Sequence, residues 1–117
     1  MEDTIKKDNF KLVCSKMHEV LSLYKLLPPR RPTFPQDMTE AEGELMQEHI
    51  SYWKTLVDKR IAVTFGPVAD PRGIYGLAII ETEEESIAQD IRANDPAIKH
   101  DASFRSEIHL MPEVILR

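Results

Sequence analysis

The chain of 117 residues fits one compact domain, and its net charge of −5 argues against binding to nucleic-acid phosphates. Its single cysteine, Cys14, excludes an intrachain disulfide and a thiolate zinc cluster, which suits a reducing cytoplasm. No segment approaches the roughly 20 apolar residues of a membrane span, and the start "MEDTIKKDNF" lacks a signal-peptide core. We therefore expect a soluble cytoplasmic protein.

Residues 1–18 are predicted to form an extension ahead of a domain spanning residues 19–117. Phe10, Val13, Cys14 and Met17 recur at helical spacing, which favours an amphipathic helix packed on the domain or on a second subunit. A strand through "FKLVC" is the alternative interpretation.

The domain is predicted to begin with a strand at "VLSLYKLL", which ends at two prolines. A Pro-rich loop then leads to Thr39, which forms a capping box with Glu42 at the start of a helix. The apolar stripe of this helix predicts packing against a sheet. It contains Leu45, Met46, His49, Ile50, Trp53, Leu56 and Val57.

The second half of the chain repeats this pattern of strands and a helix. "IAVTFGPV" and "IYGLAII" are predicted to form a hairpin with a long loop. Thr82 and Glu85 form a second capping-box pattern before a short helix, for which Asn94 is a predicted left-handed C-cap and Pro96 the stop. "SFRSEIHLMPEVIL" is predicted to be a last strand, interrupted at Pro112.

This order predicts an α+β fold, the ferredoxin-like plait: an antiparallel four-stranded sheet with two helices on one face. The other face of the sheet is apolar and uncovered. Large apolar surfaces seldom remain in water, so we expect a homodimer formed through that face.

The chain resembles the YCII-related domain family, a branch of the dimeric α+β barrel proteins. The resemblance runs from about Val20 to the end and rests on "RPTFPQDMTEAEGELMQEHISYW", "FGPVADPRG" and "NDP". It implies a plait, a dimer and a pocket near a His and an Asp, which by motif position are His49 and Asp70. One branch of the family resembles dehydrochlorinases acting on chlorinated hydroxyquinols. "DKRI", "NDPAIKHD" and the N-terminal segment depart from the family pattern, and "NDPAIKHD" affects the expected pocket shape.

His49 has two interpretations, because it lies on an apolar helix stripe. It is either a core residue whose nitrogens are satisfied internally, or a catalytic acid or base, since imidazole titrates near pH 6.5. In the catalytic interpretation, Asp70 orients the ring. Asp70 also has a structural alternative, because an Asp in "ADPRG" can cap its own turn.

Three further residues are predicted to bind a ligand: Tyr52, Trp53 and Asp95 of "NDP". For the two aromatic residues, plain packing is the alternative. The remaining histidines are too scattered for a metal site, and no nucleotide or flavin motif is present, so neither a metal nor a cofactor is expected.

Two classes of function follow from these residues. One is a small enzyme that uses His49 for an elimination or isomerisation on a small cyclic or unsaturated substrate. The other is a noncatalytic dimeric module that binds a small ligand or a protein.

Overall fold

The computed structural model describes residues 11–14, as backbone alone, and residues 20–116. Four strands of the described chain form one sheet, and two more form a separate ribbon. In chain order the elements are β1 (Lys11–Cys14), β2 (Val20–Leu27), α1 (Glu40–Asp58), β3 (Ala62–Val68), β4 (Tyr75–Thr82), α2 (Glu85–Ala93), α3 (Pro96–His100), β5 (Arg105–Met111) and β6 (Glu113–Leu116).

The main sheet has the strand order β3-β4-β2-β5, and every neighbouring pair is antiparallel. Helices α1 and α2 both pack on the face formed by alternate residues such as Tyr24, Ala78 and Ile80. This arrangement is the predicted ferredoxin-like plait, so the fold prediction is confirmed.

Helix α1 begins where the sequence predicts. The Thr39 hydroxyl accepts a hydrogen bond from the Glu42 backbone N–H, and the Glu42 carboxylate accepts one from the Thr39 backbone N–H. The buried face is narrower than the predicted stripe, because Ile50 and Val57 are 48% and 37% exposed. Its buried members are Leu45, His49, Trp53 and Leu56.

Three aromatic rings join α1 to the sheet. The fully buried Trp53 ring stacks parallel to Phe65 of β3, with centroids 5.9 Å apart, and lies 4.9 Å from the Tyr24 ring of β2. Burying a large side chain of this kind stabilises the fold by roughly 1.5–3 kcal/mol. The contacts fix the height and rotation of α1 above the strands, and therefore the position of His49, one turn before Trp53.

The predicted start of α2 is wrong; its predicted end is right in position, with Asn94 as the C-cap and the helix ending before Pro96, but wrong in the conformation of Asn94. Thr82 belongs to β4, where it pairs with Val20, and its hydroxyl donates to the Glu84 carbonyl. The N-cap of α2 is Glu84, whose side chain makes no capping bond. Asn94 has a φ of −94°, outside the left-handed region. The chain can keep this conformation because Asp95 and Pro96 start another helix, α3, at once.

Residues 11–14 form a strand, the alternative that the sequence left open, and not a helix. Strand β1 pairs antiparallel with β6, from Lys11 opposite Leu116 to Cys14 opposite Glu113. The predicted packing through Phe10, Val13 and Met17 concerns residues or side chains outside the described part. The interruption of the last strand at Pro112 divides β5 from β6, as predicted.

Within the residues that the structure describes, no helix has the length and apolar character needed to cross a membrane.

Candidate functional site

The centre of the site is the carboxylate of Asp95, which is fully buried and accepts hydrogen bonds from four groups. His49 Nδ1 lies 2.8 Å and 2.9 Å from its two oxygens. The Tyr24 hydroxyl and the Trp53 indole N–H each donate to Oδ2 at 2.8 Å. The Ala97 backbone N–H donates to Oδ1 at 3.0 Å. A buried carboxylate with this many donors is held in one orientation.

Three elements bring these groups together. His49 and Trp53 are four residues apart on α1, so they lie on one face of the helix and reach the same carboxylate. Asp95 is the N-cap of α3, with Pro96 in the first helical turn. Tyr24 points from β2 toward the helices because it alternates with residues on the open face. The site therefore depends on the tertiary packing of β2, α1 and α3.

The hydrogen bonds keep Asp95 ionised although it is buried. Burial alone would raise the pKa of Asp95, but the hydrogen bond and charge of His49, together with the Trp53 and Tyr24 donors, hold it below its ordinary value. Burial, followed by the charge and hydrogen bond of Asp95, raises the pKa of Tyr24, so this hydroxyl remains a donor. Burial and the Asp95 charge raise the pKa of Tyr52 to about 12.

An ionised carboxylate only accepts hydrogen bonds, so the hydrogen between His49 and Asp95 belongs to Nδ1. The other ring nitrogen, Nε2, is then the atom that can take up a proton. Nε2 has no hydrogen-bond partner among the described residues. It is also not among their fully buried side-chain nitrogens and oxygens that lack a partner, so it keeps some accessible surface. His49 lines a cavity, and because Nδ1 faces Asp95, we infer that Nε2 is the ring nitrogen on the cavity side.

The cavity has a volume of about 370 Å³ and lies between α1, the sheet and the loop over residues 28–39. Its walls are apolar, from Leu26 and Phe65 of the sheet, Met46 and Ile50 of α1, and Phe34 and Met38 of the loop. A volume in this range is typical of small-molecule sites.

The loop that forms one wall is attached to α1 by Arg31. Its guanidinium donates to both Glu42 oxygens at 2.6 Å and 2.9 Å, and to Asp37 at 2.9 Å. Arg31 and the capping N–H of Thr39 lower the pKa of Glu42 to about 2. The same Glu42 thus caps the helix and holds the loop that covers the cavity.

The predicted pairing of His49 with Asp70 is wrong, because His49 is bonded to Asp95. Asp70 lies in the turn after β3, where it accepts from the Arg72 backbone N–H at 2.9 Å and from the Arg72 guanidinium. The structural alternative, a turn cap, describes what Asp70 does. Hydrogen bonds from Arg72 lower the pKa of Asp70.

The three predicted ligand-binding residues have hydrogen-bond partners within the protein. Trp53 and Asp95 are fully buried and bond each other, and the Tyr52 hydroxyl donates to the Ile91 carbonyl at 2.6 Å. None of the three is among the described residues that line the cavity. The structure nevertheless joins His49, Trp53 and Asp95 in one hydrogen-bonded group.

Sequence reasoning missed the roles of Tyr24 and Asp95. "NDP" carries a usable signal, because an Asp followed by Pro is a common helix start. From the sequence alone, the motif is interpreted as the end of α2 and Asp95 as a ligand-binding residue, which leaves the helix start and the pairing with His49 unidentified. Tyr24 offers no local signal, since its partner Asp95 is 71 positions away in the sequence. In the described part of the chain, no group of His, Cys, Asp and Glu side chains could hold a metal ion.

One of three comparisons with known proteins shows a family. The sequence model of the YCII-related domain matches residues 23–112, which include every residue of the hydrogen-bonded group. A search of curated proteins finds no match. Among solved structures, the crystal structure of protein SO0527 from Shewanella oneidensis is similar, with a TM-score of 0.45 and 12% sequence identity. The alignment covers 93% of this chain and 100% of that one.

Proposed function

The chain belongs to the YCII-related domain family, and we propose from the geometry of its site that it is a small proton-transfer enzyme. Membership of the family does not by itself specify a reaction. In this proposal His49 is the catalytic acid or base and Asp95 orients it. The substrate is a small cyclic or unsaturated molecule in the cavity, and the reaction is an elimination or an isomerisation.

The observation that carries the proposal is the state of the His49 ring. Nδ1 is bonded to a buried carboxylate, which leaves Nε2 on the cavity side of the ring. A core histidine would have both nitrogens satisfied by the protein or by water. A carboxylate behind the ring stabilises the imidazolium that forms when Nε2 takes a proton, and it also fixes the tautomer.

The chemistry follows from the position of Nε2. When a C–H bond of the substrate breaks, its proton goes to Nε2 and its electron pair forms a new double bond. In an elimination, a leaving group departs with its own bonding electrons, and His49 later releases the proton to water. In an isomerisation, His49 returns the proton to another carbon of the substrate.

The test is exchange of substrate C–H for deuterium in D₂O, followed by NMR on a panel of cyclic ketones and unsaturated lactones. We expect His49→Asn to reduce exchange by about 100-fold or more, since general bases contribute roughly 10²–10⁴-fold. Asn keeps an N–H near the position of Nδ1, so the bond to Asp95 survives. Asp70→Asn is the control and should exchange like the wild type.

Equal exchange by the wild type and His49→Asn would contradict the proposal. Binding of panel members without exchange in either protein would instead support the noncatalytic ligand-binding module.

We also propose that two copies pair through the open face of the sheet. Strand alternation places Leu23, Leu77 and Ile79 on that face, where Leu23 and Ile79 are register partners and all three are partly exposed. Partly exposed apolar side chains at the centre of a sheet face favour burial against a second copy. Sedimentation should show a wild-type dimer. Leu77→Glu should dissociate it, whereas Ile87→Glu, at an exposed position of α2, should leave it intact. A wild-type monomer at micromolar concentration would refute the proposed dimer.

A further inference from the structure

The polarity of the cavity is the first indication of what it binds. Among the described residues that line it, only His49 and Tyr75 have a side-chain nitrogen or oxygen, and none is Lys or Arg. The rest of the surface is aliphatic, aromatic or proline. A ligand would therefore exchange water for apolar contacts over most of its area.

Three basic residues that are close to lining residues in the sequence are bonded to other groups. Arg31 is bonded to Asp37 and Glu42, and the Lys25 ammonium lies 4.5 Å above the centre of the Tyr75 ring. Arg105 donates to the Pro28 carbonyl. Its Nε is buried without a partner among the described residues, but alternation along β5 points this side chain away from the cavity face. None of these three residues lines the cavity.

When His49 is neutral, as it is before it takes a proton, the charge behind the cavity has the opposite sign to the one that an anion needs. Asp95 is ionised and lies against the far side of the His49 ring. A carboxylate or phosphate in the cavity would be desolvated by apolar walls and repelled by Asp95, with no described Lys or Arg to pair with it. A neutral group that donates one hydrogen bond to Nε2 has neither cost.

We infer that the substrate of this cavity is an uncharged, largely apolar molecule of one or two rings, an inference that rests on the proposed function. The molecule presents one acidic hydrogen to His49 Nε2: the C–H that breaks in the substrate, or an N–H or O–H in a bound analogue. The volume of about 370 Å³ exceeds the roughly 150 Å³ that admits benzene in an engineered cavity, so a two-ring molecule is within its range. The inference excludes carboxylic acids and phosphate esters as substrates.

Two probes of the same shape test the choice between neutral and anionic ligands. 2-Naphthamide and 2-naphthoate share the ring system, but only the second is charged at pH 7, because carboxylic acids titrate near pH 4. We expect calorimetry and His49 ring resonances to show 2-naphthamide binding in the cavity, and 2-naphthoate binding about tenfold more weakly or worse. Equal or tighter binding of 2-naphthoate would overturn the inference, and so would failure of 2-naphthamide to bind at millimolar concentration.

A variant can reverse the selectivity. Ile50 lines the cavity and is 48% exposed, so Ile50→Lys can place an ammonium at the mouth without burying it. This variant should bind 2-naphthoate more tightly than the wild type does. Ile87→Lys is the matched control, because Ile87 is a 40% exposed isoleucine outside the cavity lining. An unchanged preference in Ile50→Lys, with its melting temperature retained, would contradict the electrostatic argument.

Failure of this inference can be distinguished from failure of the proposed function. The preference for the amide is a binding measurement and needs no proton transfer. If 2-naphthamide binds selectively but no panel member exchanges its C–H hydrogens, the enzyme proposal fails and the inference about the ligand stands. If exchange depends on His49 while 2-naphthoate binds best, only the inference about the ligand fails.

Discussion

The chain contains two Asp-Pro pairs, Asp70-Pro71 and Asp95-Pro96, and their local structures are alike. Each carboxylate accepts a hydrogen bond from the backbone N–H two residues later, at 2.9 Å from Arg72 and 3.0 Å from Ala97. Their surroundings differ. Asp70 is bonded to an exposed arginine, whereas Asp95 is fully buried. The same local motif is a turn cap in one place and the centre of a site in the other.

The difference between the two aspartates comes from residues far away in the sequence. The side-chain donors to Asp95 are 42 to 71 positions away, while the side-chain donor to Asp70 is two positions away. Local pattern therefore predicts the cap but cannot rank the two carboxylates. Only the packing of β2, α1 and α3 selects Asp95 as the partner of His49.

The largest expected effect is on stability. Asp95→Ala leaves three buried side-chain donors without their acceptor, so it should lower the free energy of unfolding by about 3–5 kcal/mol, as loss of one partner of a buried pair does. Asp70→Ala removes surface contacts only and should cost much less. Urea denaturation of both variants measures the two losses in free energy of unfolding. Similar losses would mean that Asp95 is no more than a helix cap.

The fold was predictable because it depends on local patterns repeated along the chain. The Thr39 and Glu42 capping box fixed the start of α1, and alternation fixed the strands and the open face. The second capping box failed because sheet pairing holds Thr82 in β4, and pairing with Val20 is not visible in the local sequence. His49 was identified because it interrupts an apolar stripe. Its partner was not, since a single sequence contains no record of which distant side chains meet.

The second prediction compares two tyrosines. Tyr24→Phe removes a hydrogen bond to a charged acceptor and should lower the free energy of unfolding by about 1.5–3 kcal/mol. Tyr52→Phe removes the same hydroxyl from a bond to the Ile91 carbonyl, a neutral acceptor, and should cost about 0.5–1.5 kcal/mol. Thermal unfolding followed by circular dichroism measures both. A larger loss for Tyr52→Phe would show that Asp95 does not depend on Tyr24.

The third prediction concerns stability at acid pH. It extends the comparison to a third carboxylate, Glu42, which lies in the first turn of α1. The pKa of Glu42 is lowered to about 2 from an ordinary value of 4.5, so the group stabilises the fold above pH 4.5. That contribution is lost as pH falls from about 4.5 to about 2. In Glu42→Gln, unfolding stability should therefore fall less steeply in this window, by about one proton in the pH slope.

Glu40→Gln is the control for this acid effect, since Glu40 lies in the same helical turn but has no ion pair among the described residues. Its slope should match the wild type. A Glu42→Gln slope equal to that of Glu40→Gln would indicate that Arg31 does not hold Glu42 in solution.

The smallest expected effect is the most direct comparison of the two aspartates. Nitrogen-15 NMR of His49 distinguishes a ring with hydrogen on Nδ1 from one with hydrogen on Nε2. In Asp70→Asn the ring should keep its hydrogen on Nδ1, because Asp70 is bonded to Arg72 and not to His49. In Asp95→Asn the amide can accept from or donate to Nδ1, so the ring is no longer restricted to one tautomer. Loss of the fixed tautomer in Asp70→Asn, with none in Asp95→Asn, would exchange the roles that the structure gives to the two aspartates and would restore the pairing that the sequence motif implied.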